Sequence, residues 1–332
     1  MADPALRPHG WLILDKPTGL GSTQAVGAVK RVLRELGYGP KLRDLPKVGH
    51  GGTLDPLAEG VLPIALGEAT KLTGRMLDAD KTYEFTIQFG AETDTLDTEG
   101  EVTATTDRRP PRAAIPAVLE HFTGAIEQLP PKYSALKVDG RRAYDLARAG
   151  KDFALATRHV TIHSLEMASG AGWAPLYSTF ASTGSRPDAE IGYEALEMAD
   201  SVTLIANVSK GTYIRSLARD IARALGTLGH VTYLRRTKAG PFTEGQAISL
   251  DLLNEIGKGA RLQDHLLPLE AGLDGIPALA LDPESAQAAR QGRVVSGLPH
   301  PDGLHFAKLG EVPVALVEIE GGTMTVVRGF NI

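Results

Sequence analysis

The sequence GHGGTLDPLA occupies residues 49–58 and runs directly into EGVLPIALGEATKL at residues 59–72. Three of its first four residues are glycine, which predicts an unusual backbone path, because glycine adopts conformations that other residues avoid. Asp55 follows this path and directly precedes Pro56. An isolated Asp-Pro pair is typical of a helix start, with the aspartate as N-cap and the proline in the first turn. The alternative is a carboxylate placed for chemistry, and the pair alone leaves both interpretations open.

The segments around this stretch alternate between helical and extended patterns. The spacing of apolar residues predicts a helix over 22–36, capped by Ser22-Thr23, and a second helix over 214–225. Residues 81–89 alternate without a break, which predicts a strand with one buried face, and another strand is predicted over 202–208. Helices and strands that do not follow a regular βαβ order favour an α+β fold over a doubly wound sheet.

The last part of the chain has its own pattern of elements. After a break near residues 250–275, Asp282 is the expected N-cap of a helix that ends near Gly292. Two strands are predicted near 312–318 and 324–328, joined through a pair of glycines. These elements indicate a small α+β module at the C-terminal end of the sequence.

Length and composition exclude several classes of protein. At about 150 residues per domain, the 332 residues predict roughly two domains. The absence of cysteine excludes disulfide frameworks, thiolate zinc sites, iron–sulfur clusters and cysteine nucleophiles. No apolar run approaches the roughly 18 residues of a membrane span, and the sequence therefore predicts a cytoplasmic protein without a membrane association.

Positive charges are concentrated in three segments of an acidic chain. The net charge is −5, yet residues 1–50 hold eight Lys and Arg against four Asp and Glu. Residues 130–160 hold seven against three, and residues 208–239 hold seven against one. If folding brings these segments onto one face, they form the electrostatic footprint of a nucleic-acid-binding protein. Three separate solvated faces are the alternative.

The sequence lacks the motifs of nucleotide-cofactor binding, metal binding and glycoside hydrolysis. No dinucleotide fingerprint and no Walker A motif is present, so a nucleotide cofactor is unsupported. His159 and His163 lie in a segment that alternates like a strand, which favours ordinary surface histidines over a metal site. Asp55 and Glu59 are neighbours on one segment, whereas glycoside hydrolysis needs two carboxylates across a cleft.

Taken together, several motifs resemble the TruB family, whose members convert uridine 55 in the T-loop of tRNA to pseudouridine. The matching segments, in the order of the family, are LDKPTG at 14–19, residues 47–72, KTY at 81–83, TDT at 93–95, YSALK at 133–137, SKGTYIR at 209–215 and HVTYLRR at 230–236. The resemblance extends from residue 11 to about 248. The sequence departs from the family at a longer loop over 37–46, at an insertion over about 165–200, and at Gly51, where the family often has alanine.

The resemblance implies a fold and a domain organisation. The expected architecture is α+β, of the pseudouridine-synthase type, with a mixed and largely antiparallel sheet flanked by helices. Residues 1–260 are expected to form the catalytic domain, and residues 276–332 a small PUA-like RNA-binding module.

The resemblance also implies roles for individual residues. Asp55 aligns with the nucleophilic aspartate of the family, and Arg215 with the arginine that pairs with it. Tyr83 aligns with the tyrosine that stacks on the target uracil and takes a proton in the later steps. From its pattern alone, Tyr83 could equally be a core aromatic beside Phe85.

Further residues are expected to bind the substrate. Because the target base must be flipped out of the T-loop, His50 is expected to fill the vacated space, although a histidine between glycines could instead cap the turn. Tyr213 and Leu234 are expected to line the pocket. Contacts to phosphates are expected from a set of basic residues, namely Lys16, Lys71, Lys132, Lys137, Lys210, Arg235 and Arg236.

The expected activity is therefore isomerisation of uridine 55 to pseudouridine through base flipping and an aspartate nucleophile. No cofactor and no metal are expected, because the reaction is redox-neutral. The expected partner is the T-loop and T-stem of tRNA, bound by a monomer without a protein partner. Two alternatives stay open: a tRNA-binding folding chaperone in which catalysis is secondary, and an RNA-binding protein that uses the C-terminal module alone.

Overall fold

A computed structural model gives the structure of the protein and describes residues 7–39, 41–168 and 197–332. The described part of the chain is a mixture of helices and strands, which confirms the α+β prediction. Most of the expected insertion over 165–200 lies outside the described residues. Among those that are described, no helix has the length and apolarity that a membrane crossing requires.

Seven α-helices and nineteen strands are present in the described residues. The helices are α1 Ser22–Glu35, α2 Thr73–Asp78, α3 Ile115–His121, α4 Ala143–Arg148, α5 Ile214–Ala224, α6 Leu250–Gly257 and α7 Pro283–Arg290. The first twelve strands are β1 Gly10–Lys16, β2 Val48–His50, β3 Glu59–Leu66, β4 Lys81–Phe89, β5 Ala91–Thr93, β6 Val102–Thr105, β7 Gly124–Gln128, β8 Lys137–Val138, β9 Arg141–Arg142, β10 Arg158–Met167, β11 Ser201–Val208 and β12 Gly229–Ala239. The remaining strands are β13 Phe242–Thr243, β14 Ile248–Ser249, β15 Ala278–Ala280, β16 Val295–Ser296, β17 Gly303–Leu309, β18 Val312–Glu320 and β19 Thr323–Gly329.

The described chain divides into two compact units. One, called here the split unit, contains the residues up to Lys81 and those from Arg236 to Ile332. The other, the continuous unit, contains Thr82–Arg235. The predicted boundary between 1–260 and 276–332 does not coincide with this division, because the C-terminal module is grouped with the N-terminal segment.

The N-terminal strands of the split unit form the support for the Gly-rich segment. β1 pairs with β3 in antiparallel register from Gly10↔Leu66 to Lys16↔Gly60, and with β14 in parallel. β2 pairs with the other edge of β3, with His50 opposite Ile64. Nearly every residue of β1 and β3 is buried, which explains their almost continuous apolar sequences.

The C-terminal module packs into the same unit through a shared core. Its five strands hydrogen-bond in the order β15-β17-β18-β19-β16, and α7 covers them. One face of the module buries Phe306, Leu316 and Phe330 in a cluster with Trp11 and Phe242. This shared cluster is the physical reason why the module does not separate as a unit of its own.

The continuous unit is a second antiparallel arrangement. β4, β11, β10 and β7 are neighbours in that order, and β10 is antiparallel to both β11 and β7. On β4 the side chains of Phe85, Ile87 and Phe89 are buried, as the alternation predicts. α5 follows β11 and carries its apolar stripe inward.

Glu68 connects three segments of the split unit. Its carboxylate accepts a hydrogen bond from the Asn331 N–H at 2.8 Å and pairs with Lys71 Nζ at 2.6 Å. Its own N–H donates to His9 Nδ1 at 3.0 Å. Burial raises the pKa of the Glu68 carboxyl, but the hydrogen bonds from Lys71 and Asn331 outweigh this effect and hold the pKa below its ordinary value.

A lowered pKa means that Glu68 stabilises the fold above its unfolded pKa and that this stability is lost as the pH falls through the folded pKa. We therefore expect Glu68→Gln to reduce the free energy of unfolding at pH 7 by about 1 kcal/mol. The difference from the unchanged protein should shrink below a pH of about 4. Urea denaturation at pH 7 and below about pH 4 measures the free energy of unfolding of the variant and of the unchanged protein. The exposed Glu311→Gln is the control. A difference that does not vary with pH would contradict this account.

Candidate active site

The loop that carries Asp55, called here the Asp55 loop, comprises residues 51–58 of the split unit, between β2 and β3. After His50 the chain leaves β2, and the Gly51 N–H donates to the Pro63 carbonyl at 2.8 Å. No helix follows Asp55, because β3 begins at Glu59, so the N-cap interpretation is wrong. Asp55 is half-buried, and its carbonyl accepts the Ala58 N–H at 3.1 Å in a turn.

Glycine at position 51 has a local steric reason. A Cβ at this position would lie 2.6 Å from Met76 Cβ, which is closer than real Cβ atoms approach. The alanine that the family often carries here would therefore require a different position for Met76. Next along the chain, Gly52 has a φ of +136°, which also favours glycine.

Lys16 supports the Asp55 loop from inside the protein. Its side chain is fully buried at the end of β1. Nζ donates to the carbonyls of Leu20 at 2.6 Å, Pro17 at 3.0 Å and Pro56 at 3.3 Å. The ammonium is thus enclosed by backbone carbonyls, whereas the phosphate contact implied for Lys16 stays a prediction.

Arg236 supports the same loop from β12. Only 1% of the residue is exposed. Its guanidinium donates to the carbonyls of Val61 at 2.7 Å, Gly52 at 3.2 Å and Thr53 at 3.4 Å. Arg236 was expected to bind phosphate, and its burial contradicts that expectation. Two of these carbonyls, those of Gly52 and Thr53, belong to the glycine-rich path outside any strand, and the buried cation satisfies them.

His50 has a ring nitrogen that the fold does not use. Nδ1 is buried and has no hydrogen-bond partner within residues 7–39, 41–168 and 197–332, so the turn-capping interpretation finds no support there. Burial, and then the nearby charge of Arg236, hold the pKa of His50 below its ordinary value. A neutral imidazole is suited to a place among stacked bases, where a charged ring would be harder to desolvate.

Lys71 is held by neighbours in its own unit. Besides its ion pair with Glu68, Nζ donates to the Gly329 carbonyl at 2.8 Å, and 24% of the side chain is exposed. This geometry gives Lys71 a role in fixing the C-terminal strand. Glu68 and the Gly329 carbonyl already bind the Lys71 ammonium, and its contact with phosphate stays a prediction.

In the continuous unit, Arg215 is the centre of a buried network. Its guanidinium donates to the carbonyls of Thr95 at 2.8 Å and Tyr133 at 2.9 Å. It also forms an ion pair with Asp97 at 3.3 Å, in which 7% and 1% of the two side chains are exposed. The pairing of Arg215 with Asp55 that the resemblance implies stays a prediction.

Sequence reasoning missed Asp97. Its Oδ1 accepts hydrogen bonds from Thr95 Oγ1 at 2.5 Å and from the Glu99 N–H at 2.9 Å, and its Oδ2 faces Arg215. An aspartate that is almost completely buried needs such partners. The available signal was its place two residues after the TDT segment at 93–95, but the sequence does not reveal its distant partner.

The other arginines of α5 are also paired with acids. Arg219 pairs with Asp220 at 2.8 Å, and Arg223 pairs with both carboxylate oxygens of Glu92. Arg215, Arg219 and Arg223 are spaced four residues apart on α5, where like charges repel, and carboxylates of the protein itself offset this repulsion.

Tyr83 and Leu234 occupy different environments in the continuous unit. Tyr83 is half-buried, unlike the fully buried Phe85 on the same strand, so part of the residue is accessible. Leu234 is 6% exposed on β12. An aromatic ring with an accessible part can still stack on a ligand.

Tyr213 lies just before α5, and its backbone is held by Gln128. The Gln128 amide donates to the Tyr213 carbonyl at 3.1 Å and accepts the Tyr213 N–H at 2.8 Å. The guanidinium of Arg158 lies 5.6 Å from the ring centroid. The residue as a whole is half-buried. The structure thus fixes the backbone at Tyr213 and leaves part of the residue accessible.

Three of the basic residues expected to bind phosphate are exposed. They are Lys132, Lys137 and Lys210, while Arg235 is half-buried. An anionic partner in solution can therefore reach these lysines. The side chains of Lys16 and Arg236 are buried and are not accessible in this way.

Comparison with known proteins identifies the family. Residues 40–184 match the family described as TruB family pseudouridylate synthase (N terminal domain), and residues 215–274 match the tRNA pseudouridylate synthase B C-terminal domain. The tRNA pseudouridine synthase B of Novosphingobium aromaticivorans is 62% identical over 323 residues, which cover 97% of each chain. That of Zymomonas mobilis is 53% identical and covers 97% of this chain and 96% of its own.

A solved structure shows the same fold. A chain in the crystal structure of a Cbf5-Nop10-Gar1 complex is 26% identical with a TM-score of 0.65, and the match covers 99% of this chain and 88% of that chain. The family domains, the near full-length relatives and the fold agree. The chain belongs to the TruB family of pseudouridylate synthases.

Proposed function

We propose that this protein isomerises uridine to pseudouridine in tRNA, and that the target is uridine 55 of the T-loop. Its relatives at 62% and 53% identity are tRNA pseudouridine synthases B, which supports the reaction and the tRNA substrate. The observation that carries the chemistry is Asp55, a half-buried carboxylate on a loop that Lys16 and Arg236 hold from beneath.

The reaction breaks the C1′–N1 bond, rotates the uracil and joins C5 to C1′. C5 loses a proton and N1 gains one, so no electrons and no atoms are gained or lost overall. An ionised Asp55 can act as the nucleophile that forms the covalent intermediate. Because the reaction is redox-neutral, we propose that it proceeds without a cofactor.

The remaining site residues divide the other tasks. Arg215 is proposed as the cationic partner that favours the ionised nucleophile, and Tyr83 as the ring that stacks on the uracil and takes a proton. His50 is proposed to occupy the space that the flipped base leaves, with Tyr213 and Leu234 lining the pocket. The partial exposure of Tyr83 and Tyr213 supports these roles.

The protein is further proposed to act as a cytoplasmic monomer that needs no protein partner, with residues 276–332 as an accessory RNA-binding module. The position of the substrate within tRNA is tested by incubating the purified protein with unmodified tRNA and mapping pseudouridine by chemical probing. Modification at position 55 is the expected result. A folded preparation that modifies another position would overturn the T-loop assignment, and one that modifies none would overturn the activity.

Phosphate binding by the exposed lysines has a measurable consequence. We expect Lys132→Ala and Lys137→Ala each to raise KM by about threefold and to reduce the salt dependence of tRNA binding by about one charge. Removal of a phosphate contact weakens binding without changing the reacting atoms, so kcat should stay the same. Lys258→Ala is the control, because Lys258 is exposed and pairs with Glu255. An unchanged salt dependence would contradict the contact.

A further inference from the structure

A serine hydroxyl holds the residue that precedes Asp55. Ser22 Oγ accepts a hydrogen bond from the Leu54 N–H and donates one to the Leu54 carbonyl, both at 2.8 Å. Ser22 is 4% exposed and Leu54 is 3% exposed, so water does not compete for these bonds. A single side chain therefore satisfies both backbone groups of Leu54, as a neighbouring strand does in a sheet.

This use of Ser22 replaces the role that its sequence position suggests. α1 begins at Ser22, but its N-cap is Gly21, and the side chain of Gln24 accepts the Gly21 N–H at 2.8 Å. The predicted capping by Ser22-Thr23 is therefore wrong in detail. The hydroxyl that was expected to cap the start of the helix binds the backbone of the Asp55 loop instead.

The residue after Asp55 is held by the same segment of chain. The Pro56 carbonyl accepts the Gly19 N–H at 2.8 Å, in addition to the bond from Lys16. Asp55 thus lies between two residues whose backbones are both bound by the segment 16–22. A rotation of the backbone at Leu54 would move the carboxylate of Asp55. The hydrogen bonds at Pro56 hold only the backbone that follows Asp55, so they do not prevent this rotation.

We propose that Ser22 is a positioning residue that fixes the Asp55 carboxylate by clamping the backbone of Leu54. This inference rests on the proposed role of Asp55 as the nucleophile. A displacement of a reacting group by about 1 Å can lower the rate by about 100-fold, so the clamp contributes to kcat beyond its contribution to stability.

The test replaces the hydroxyl and measures turnover well below the melting temperature. We expect Ser22→Ala to lower kcat by about 10- to 100-fold and to leave KM for tRNA within about twofold. Hydrogen exchange in the peptide that contains Leu54 should become faster, because its amide loses its partner. Ser22→Thr keeps the hydroxyl and should recover most of kcat; it also provides the measurement if the alanine variant does not fold.

A matched control separates positioning from stability. Ser249 lies in the same unit, and its Oγ accepts the Leu252 N–H at 3.1 Å as the N-cap of α6. Ser249→Ala should lower the melting temperature without changing kcat.

Several results would overturn the inference. These are an unchanged kcat in Ser22→Ala, an equal loss of kcat in Ser249→Ala, and a Ser22→Thr protein that is as slow as the alanine variant. If the unchanged protein forms no pseudouridine, the proposed function fails, and the exchange measurement still decides the clamp. Unchanged exchange at Leu54 in Ser22→Ala would show that the clamp does not exist.

Discussion

Asp55→Asn is expected to abolish pseudouridine formation, with a loss of about 10⁴-fold or more in kcat, because an amide cannot form the covalent bond of the nucleophile. Asparagine has nearly the same shape as aspartate, and the loop is held by Ser22, Lys16 and Arg236 rather than by this side chain alone. Binding of tRNA should therefore stay within about threefold. Single-turnover assays with radiolabelled uridine and a separate binding assay measure the two quantities.

The matched control for this variant is Glu59→Gln, which removes the same charge four residues further along the chain. Glu59 accepts a hydrogen bond from Thr18 Oγ1 at 3.1 Å and is assigned no part in the chemistry. It should retain turnover. Residual activity of Asp55→Asn above one hundredth of normal would argue against a covalent role for Asp55. A strain that carries Asp55→Asn, forms no pseudouridine and shows no defect would favour the chaperone alternative.

Arg215→Met is expected to have the largest effect on stability among the site variants. It leaves Asp97 almost completely buried without its cation, which costs about 3 kcal/mol and lowers the melting temperature by about 6–12 °C. Turnover should also fall by about 100-fold or more, because a preorganised cation is lost. Thermal unfolding and single-turnover rates at low temperature measure the two effects.

The double variant Arg215→Met with Asp97→Leu distinguishes these two roles of the arginine. Replacing both members of a buried ion pair with apolar side chains recovers much of the stability, since no charge is left unpaired. Turnover should not recover with it. Arg223→Met is the control, because Arg223 is more than half exposed in its pair with Glu92 and should cost less than about 1 kcal/mol. A double variant that regains activity would limit Arg215 to a structural role.

The sequence predicted helices, strands and caps correctly where neighbouring residues alone determine them. The alternation over 81–89 matches β4 in full, and the apolar stripe over 214–225 matches α5 to within one residue. Asp282 caps α7 as expected, since its carboxylate accepts the N–H groups of Glu284 and Ser285. Each of these features depends on residues within one or two turns of one another, so the sequence contains the whole cause.

The uses of charged residues could not be predicted in the same way. Lys16 and Arg236 looked like surface cations because lysine and arginine are rarely fully buried. Their partners are backbone carbonyls, and in the case of Arg236 these lie more than 170 residues away. Every residue has a backbone carbonyl, so the sequence does not show which carbonyls bind a buried cation. The remaining signal was positional, because Lys16 follows the apolar run Trp11–Leu14 at the end of β1 and Arg236 lies on the same strand face as Leu234.

The site residues themselves came from the resemblance rather than from spacing. An Asp-Pro pair after glycines suggested a helix start, and only the match of several motifs indicated a nucleophile. Asp97 was missed because its role depends on Arg215, which is 118 positions later in the numbering.

The split unit has a consequence for the order in which a newly made chain can fold. Its N-terminal strands and the Asp55 loop leave the ribosome early, but Arg236 and the module that supplies Phe306 and Phe330 are translated much later. The continuous unit is complete at Arg235 and can acquire its own core during translation, as contiguous domains do. The Asp55 loop must therefore wait for the segment that begins at Arg236, and a nascent chain released before Arg236 would lack the cation that binds the carbonyls of Gly52 and Thr53.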